Sequence, residues 1–74
     1  MLNNLKTMLE SKGYMLYLDN KESIIYIYEN GKEVLVGLEN NGLIVSLLEN
    51  DECSEDKNFF NVISAYKYIK GLLK

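Results

Sequence analysis

The sequence predicts an α+β fold: a four-stranded antiparallel meander flanked in sequence by an N-terminal and a C-terminal helix, α-β-β-β-β-α. Three observations predict it. Apolar residues recur at helical spacing near both ends. The middle holds short runs rich in Ile, Tyr, Val and Leu, types that favour strands. Asn30-Gly31 and Asn40-Asn41-Gly42 punctuate those runs, and Asn-Gly suits the type I′ turn that joins paired strands. A chain of 74 residues holds one such domain, 1–74.

The first helix is expected over 4–12. Asn3 or Asn4 can cap it, Leu5, Met8 and Leu9 give its apolar stripe, and Gly13 suits the left-handed position that ends it. Strands are expected over 14–18, 23–29, 32–39 and 43–48, the first two joined by the turn Asp19-Asn20-Lys21-Glu22. Residues 49–57 read as a polar loop. A second helix is expected from 58, because Phe59, Val62, Ile63, Tyr66, Ile69 and Leu73 fall at helical spacing. Ser54 or Asp56 would cap it.

The Asn30-Gly31 turn fixes the register, since a two-residue loop sets Glu29 opposite Lys32, Ile27 opposite Val34 and Ile25 opposite Val36. One face then carries Ile25, Ile27, Val34, Val36, Leu38, Leu43, Val45 and Leu47, with Tyr14, Leu16 and Leu18. Two helices, each about 10 Å wide, can lie side by side on four strands spaced about 4.8 Å apart, so both are expected on this aliphatic face. The other face carries Met15, Tyr17, Ile24, Tyr26, Tyr28 and Leu35, with Ile44 and Leu48, rimmed by Glu33 and Glu39. Left bare, such a patch marks a contact surface, and tyrosine suits it because the ring buries area while the hydroxyl finds a partner. Three fates are open to this face: cover by a crossing second helix, a homodimer joined through it, or a foreign protein partner.

Composition excludes several chemistries. Histidine is absent and cysteine occurs once, so one chain supplies no Ser-His-Asp triad, no Cys/His zinc site and no disulfide. The five glycines are isolated and form no phosphate loop. No catalytic residue, cofactor or metal is expected. Cys53 sits among acids that keep a thiol protonated. Lys67, Lys70 and Lys74 suit the C-terminal end of the second helix, and three lysines on a chain of net charge −3 make a weak nucleic-acid footprint, so no direct nucleic-acid contact is expected. Lys6, Glu10, Lys12 and Asp19 interrupt the first twenty residues, and no apolar run approaches the roughly 20 residues of a membrane span, so the expected location is the cytoplasm, without membrane contact.

The segment 49–56 is the one strongly charged stretch. Glu49, Asp51, Glu52, Glu55 and Asp56 place five carboxylates in eight residues. They could hold a hard cation, although the spacing and the missing turn glycine depart from an EF-hand. They could imitate phosphates toward a basic nucleic-acid-binding protein. They could also be a solvated loop whose last acids favour a helix N-terminus.

The layout of a helix over Leu5 to Lys12, then Gly13-Tyr14, then a meander with Asn-Gly turns and an acidic cluster, resembles small phage-encoded anti-CRISPR inhibitors of the Cas9 nuclease. The resemblance is one of architecture, and no family residue is carried onto this chain. It implies an inhibitor that occupies a host defence protein's surface inside the host cell, acting through an acidic surface. The net charge of −3 is mild beside that pattern. The expectation is therefore a non-catalytic interaction module using the acidic loop and the tyrosine-rich face, the alternative being a homodimeric structural or regulatory protein.

Overall fold

The computed structural model covers residues 1–74. The chain runs α1 (Leu2–Lys12), β1 (Met15–Asp19), β2 (Ile24–Glu29), β3 (Lys32–Glu39), β4 (Gly42–Glu49), β5 (Glu52–Phe59) and α2 (Val62–Leu72). The strands form one antiparallel sheet in the order β1-β2-β3-β4-β5. The α+β class and the flanking helices are as the sequence predicts, but the sheet has five strands rather than four.

Three consecutive two-residue turns build the meander. Asn30 and Gly31 have φ of 53° and 77°, Asn40 and Asn41 of 47° and 65°, and Asn50 and Asp51 of 53° and 64°. Two successive positive φ values twist a turn in the sense that paired strands need. The β1–β2 loop is longer. Asp19 Oδ1 accepts the backbone N–H groups of Lys21 and Glu22 at 3.0 and 3.2 Å, and Ser23 turns back with φ 56°.

The extra strand comes from the expected polar loop. Asn50-Asp51 turns the chain, and Glu52–Phe59 pairs with β4 as the sheet's edge. Charged residues disfavour a central strand but suit an edge, where they deter pairing with another chain. Ser54 is the additional residue of a bulge: Leu47 faces Glu55, Leu48 faces Cys53, and Ser54 Oγ donates to the Leu47 carbonyl. α2 therefore begins later than expected. Phe59 ends β5, and the cap is Asn61, whose Oδ1 accepts the Ser64 N–H at 2.7 Å, rather than Ser54 or Asp56. α1 begins earlier, with Met1 at its cap position and Asn3 and Asn4 inside the helix.

The register matches the expected parity at the three strand pairs that the sequence predicts, β1–β2, β2–β3 and β3–β4. Ile25, Ile27, Val34, Val36, Leu43, Val45 and Leu47 are buried with Leu2, Leu5 and Leu9 of α1 and with Ala65, Ile69 and Leu73 at the C-terminal end. Both helices thus cover the aliphatic face. Leu38 is the exception. It sits near the end of β3 and is 54% exposed, not core. The end of α2 is fixed where helix carbonyls lack helical partners: Lys32 Nζ donates to the Leu72 carbonyl at 2.9 Å and Asn30 Nδ2 to the Leu73 carbonyl at 3.2 Å.

Candidate protein interface on the open sheet face

With both helices on one side, the tyrosine face has no covering layer. Its side chains form rows across the strands. Met15, Tyr28, Glu33, Leu48 and Cys53 make one row. Tyr17, Tyr26, Leu35, Ser46 and Asp56 make the next, followed by Asp19, Ile24, Gly37, Ile44 and Asn58. Met15, Tyr17 and Tyr28 are 78%, 64% and 62% exposed. Ile24, Tyr26, Leu35, Ile44 and Leu48 are half-buried between them. The Tyr17 and Tyr26 rings lie 6.2 Å apart, within the range of favourable aromatic pairs. Met15, Leu16, Tyr17, Tyr26 and Tyr28 line a shallow hollow of about 190 Å³ at the β1 end.

The sequence overlooks one apolar member. Phe60, 76% exposed, follows β5 at the opposite corner and lies against Gly42. A Cβ on Gly42 would stand 2.6 Å from the Phe59 carbonyl and 3.1 Å from the Phe60 ring, so the chain packs closely there only because residue 42 is glycine. Strand parity carried one residue past Phe59 would have placed Phe60 on this face.

The face is also electrically one-sided. Glu33 stands opposite Tyr28, and its carboxylate beside the phenol raises the Tyr28 pKa. Asp56 accepts hydrogen bonds from Ser46 Oγ and, at 3.2 Å, from Cys53 Sγ. These donors lower the Asp56 carboxyl pKa, and Asp56 in turn raises that of Cys53, holding it as a thiol rather than a nucleophilic thiolate. Asp19 and Glu39 stand on the same face by register. No lysine does. Lys32 and Lys57 point to the helix side, Lys21 is in the β1–β2 loop, and the other five lie in the helices or at the C-terminal residue.

The five carboxylates of the acidic segment do not act as one group. Glu55 turns toward α2 and accepts the Tyr68 hydroxyl at 3.1 Å, while Asp56 faces the open side. Glu49 and Glu52 flank the turn that holds Asp51. No three acidic or cysteine side chains gather as a metal ion requires. The segment is a strand, so the expected acidic loop becomes a charged sheet edge. No helix is long and apolar enough to cross a membrane.

No protein-family model, curated protein or solved structure matches the chain.

Proposed function

We propose that this protein is a small non-catalytic interaction module that binds another protein through the open face of its sheet. One observation carries the reading: Met15, Tyr17 and Tyr28 stand exposed together on a face that both helices leave free. Clustered tyrosine and methionine are what protein interfaces concentrate at their centres. The carboxylates of Glu33, Glu39 and Asp56, with no lysine among them, favour an apolar partner surface edged by Lys or Arg. Face-to-face self-association would stack these carboxylates against each other, which counts against a homodimer joined through this face. An inhibitor that occupies a host defence protein's nucleic-acid surface, as the anti-CRISPR resemblance implies, is one form of this activity. It would take Glu49, Asp51, Glu52, Glu55 and Asp56 as a secondary contact along β5.

The test is affinity capture from the native host with three baits: the unaltered chain, Tyr28→Lys, and a reversal of Asp51, Glu52, Glu55 and Asp56 to Lys. A protein captured by the first bait and lost with Tyr28→Lys supports the reading. Loss with the four-fold reversal as well adds the acidic edge to the contact. A partner retained equally by Tyr28→Lys refutes the open face as the binding surface.

A further inference from the structure

The two edges of the sheet are built differently, and we propose that the β1 edge pairs with the β1 edge of a second copy, antiparallel about Tyr17. The β5 edge is guarded. Glu52, Glu55, Asp56 and Lys57 are all exposed along it, and the Ser54 bulge breaks its ladder. The β1 edge has no such guard. Met15, Leu16, Tyr17 and Leu18 carry no charge, and the strand pairs with β2 without a bulge. Its one carboxylate, Asp19, is turned back into the loop onto two backbone N–H groups. An edge strand leaves half of its backbone donors and acceptors without ladder partners, and an uncharged edge invites another strand to take them.

A second copy fits this edge in charge and in closure. Antiparallel pairing about Tyr17 sets Tyr17 opposite itself and Leu16 opposite Leu18 of the second copy. These half-buried leucines lie on the helix side, at the margin of the core. Apart from Asp19, which is held in its own loop, the carboxylates of the open face lie inward: Glu33 and Glu39 two strands away and Asp56 four, so the nearer two are about 10 Å from the new ladder, where water and salt screen them. The contact is isologous and closes on itself. The joined sheet then ends in two guarded β5 strands, with no free β1 edge for further growth. Five residues span only about 17 Å, a small interface, so the pair is weak and concentration-dependent. The inference is independent of the proposed partner, because side chains stand perpendicular to a sheet and edge pairing leaves the tyrosine face open.

Sedimentation equilibrium of the intact chain and disulfide trapping test it together. With rising concentration the mass should climb from 8.5 kDa toward twice that value. In a Cys53→Ser background, Tyr17→Cys should form a disulfide dimer readily, because directly opposed Cα atoms lie about 4.5–5.5 Å apart. Thr7→Cys, exposed on α1, should not. Tyr17→Lys should weaken association about tenfold, whereas Tyr28→Lys, one strand inward, should leave it unchanged. A mass that stays at 8.5 kDa to the highest soluble concentration overturns the proposal. So does equal trapping at positions 17 and 7, or a pair that Tyr28→Lys dissociates as readily as Tyr17→Lys.

Discussion

The Tyr68 hydroxyl of α2 donates to Glu55 Oε1 of β5 at 3.1 Å, thirteen residues earlier in the chain. The Tyr68 ring lies 5.1 Å from that of Phe59, and Lys57 Nζ stands 5.3 Å from the Tyr68 ring centre. β5 is therefore held by its ladder to β4 and by one aromatic side chain above it. Tyr68→Phe keeps the ring and should cost about 0.5 kcal/mol, as expected for an exposed hydrogen bond. Tyr68→Ala removes the ring and should cost about 2 kcal/mol or more. Urea denaturation measures both. Amide exchange in β5 should quicken in the alanine variant more than in the other strands.

Strand β5 also marks the limit of what the sequence discloses. The parity of the first four strands is legible because Asn30-Gly31 permits one turn geometry, and alternation then sorts every side chain. That sorting placed Met15, Tyr17 and Tyr28 opposite the core, where they stand exposed. Glu52-Cys53-Ser54-Glu55-Asp56-Lys57 carries no apolar alternation, so a strand defined by pairing to its neighbour is invisible in it. The same blindness misplaced the start of α2. Phe59 falls at helical spacing with Val62 and Ile63, yet its ring belongs to the end of a strand, beside Tyr68. Asn61 is the true start signal, a cap type placed just before the apolar helix.

Asp56 makes stability depend on acid. Hydrogen bonds from Ser46 and Cys53 hold its folded pKa below the ordinary 3.8. A carboxyl with a lowered folded pKa adds stability that is present above the unfolded value and disappears as pH falls through the folded one. Asp56→Asn should flatten the stability profile below about pH 4. The same change replaces the charged acceptor beside Cys53 with a neutral amide oxygen, which lessens the rise in the thiol pKa, so its alkylation by iodoacetamide at neutral pH should quicken. An unchanged alkylation rate would mean that the thiol is not held by Asp56 in solution.

Tyr28 and Tyr68 set the opposite limb. Glu33 beside Tyr28, and burial followed by Glu55 for Tyr68, raise both phenols above the ordinary 10.0. A group with a raised folded pKa adds stability that is full below its unfolded value and vanishes as pH climbs through the folded one. Thermal stability should therefore fall above about pH 10. Spectrophotometric titration should show the Tyr28 and Tyr68 phenols ionising late, and Glu33→Gln should move Tyr28 back toward its ordinary value.

The third turn can be improved. Asn50 and Asp51 both hold positive φ, a conformation that glycine adopts without steric penalty. Asp51→Gly creates the Asn-Gly pair that already serves at 30–31 and removes one negative charge near Tyr28. The variant should gain up to about 1 kcal/mol in urea denaturation. Its tyrosine titration should move slightly toward ordinary values.

Gly42 and Gly71 should respond to the same substitution with opposite signs. At Gly42 a new Cβ meets the Phe59 carbonyl at 2.6 Å, a backbone atom that can retreat only by straining the β4–β5 ladder at its end. Gly42→Ala should cost about 1–3 kcal/mol, a large fraction of the stability of so small a domain. Gly71 lies in the last turn of α2 with nothing within 4 Å of the added carbon and no positive φ to conflict with a side chain. Gly71→Ala should add about 0.5–1 kcal/mol by restricting the unfolded chain and favouring the helix. Chemical denaturation of the two variants beside the parent decides both. If Gly42→Ala were as stable as the parent, Phe59 and Phe60 would have to sit farther from β4 than 2.6 and 3.1 Å imply, and the corner of the open face that Phe60 occupies would be rearranged.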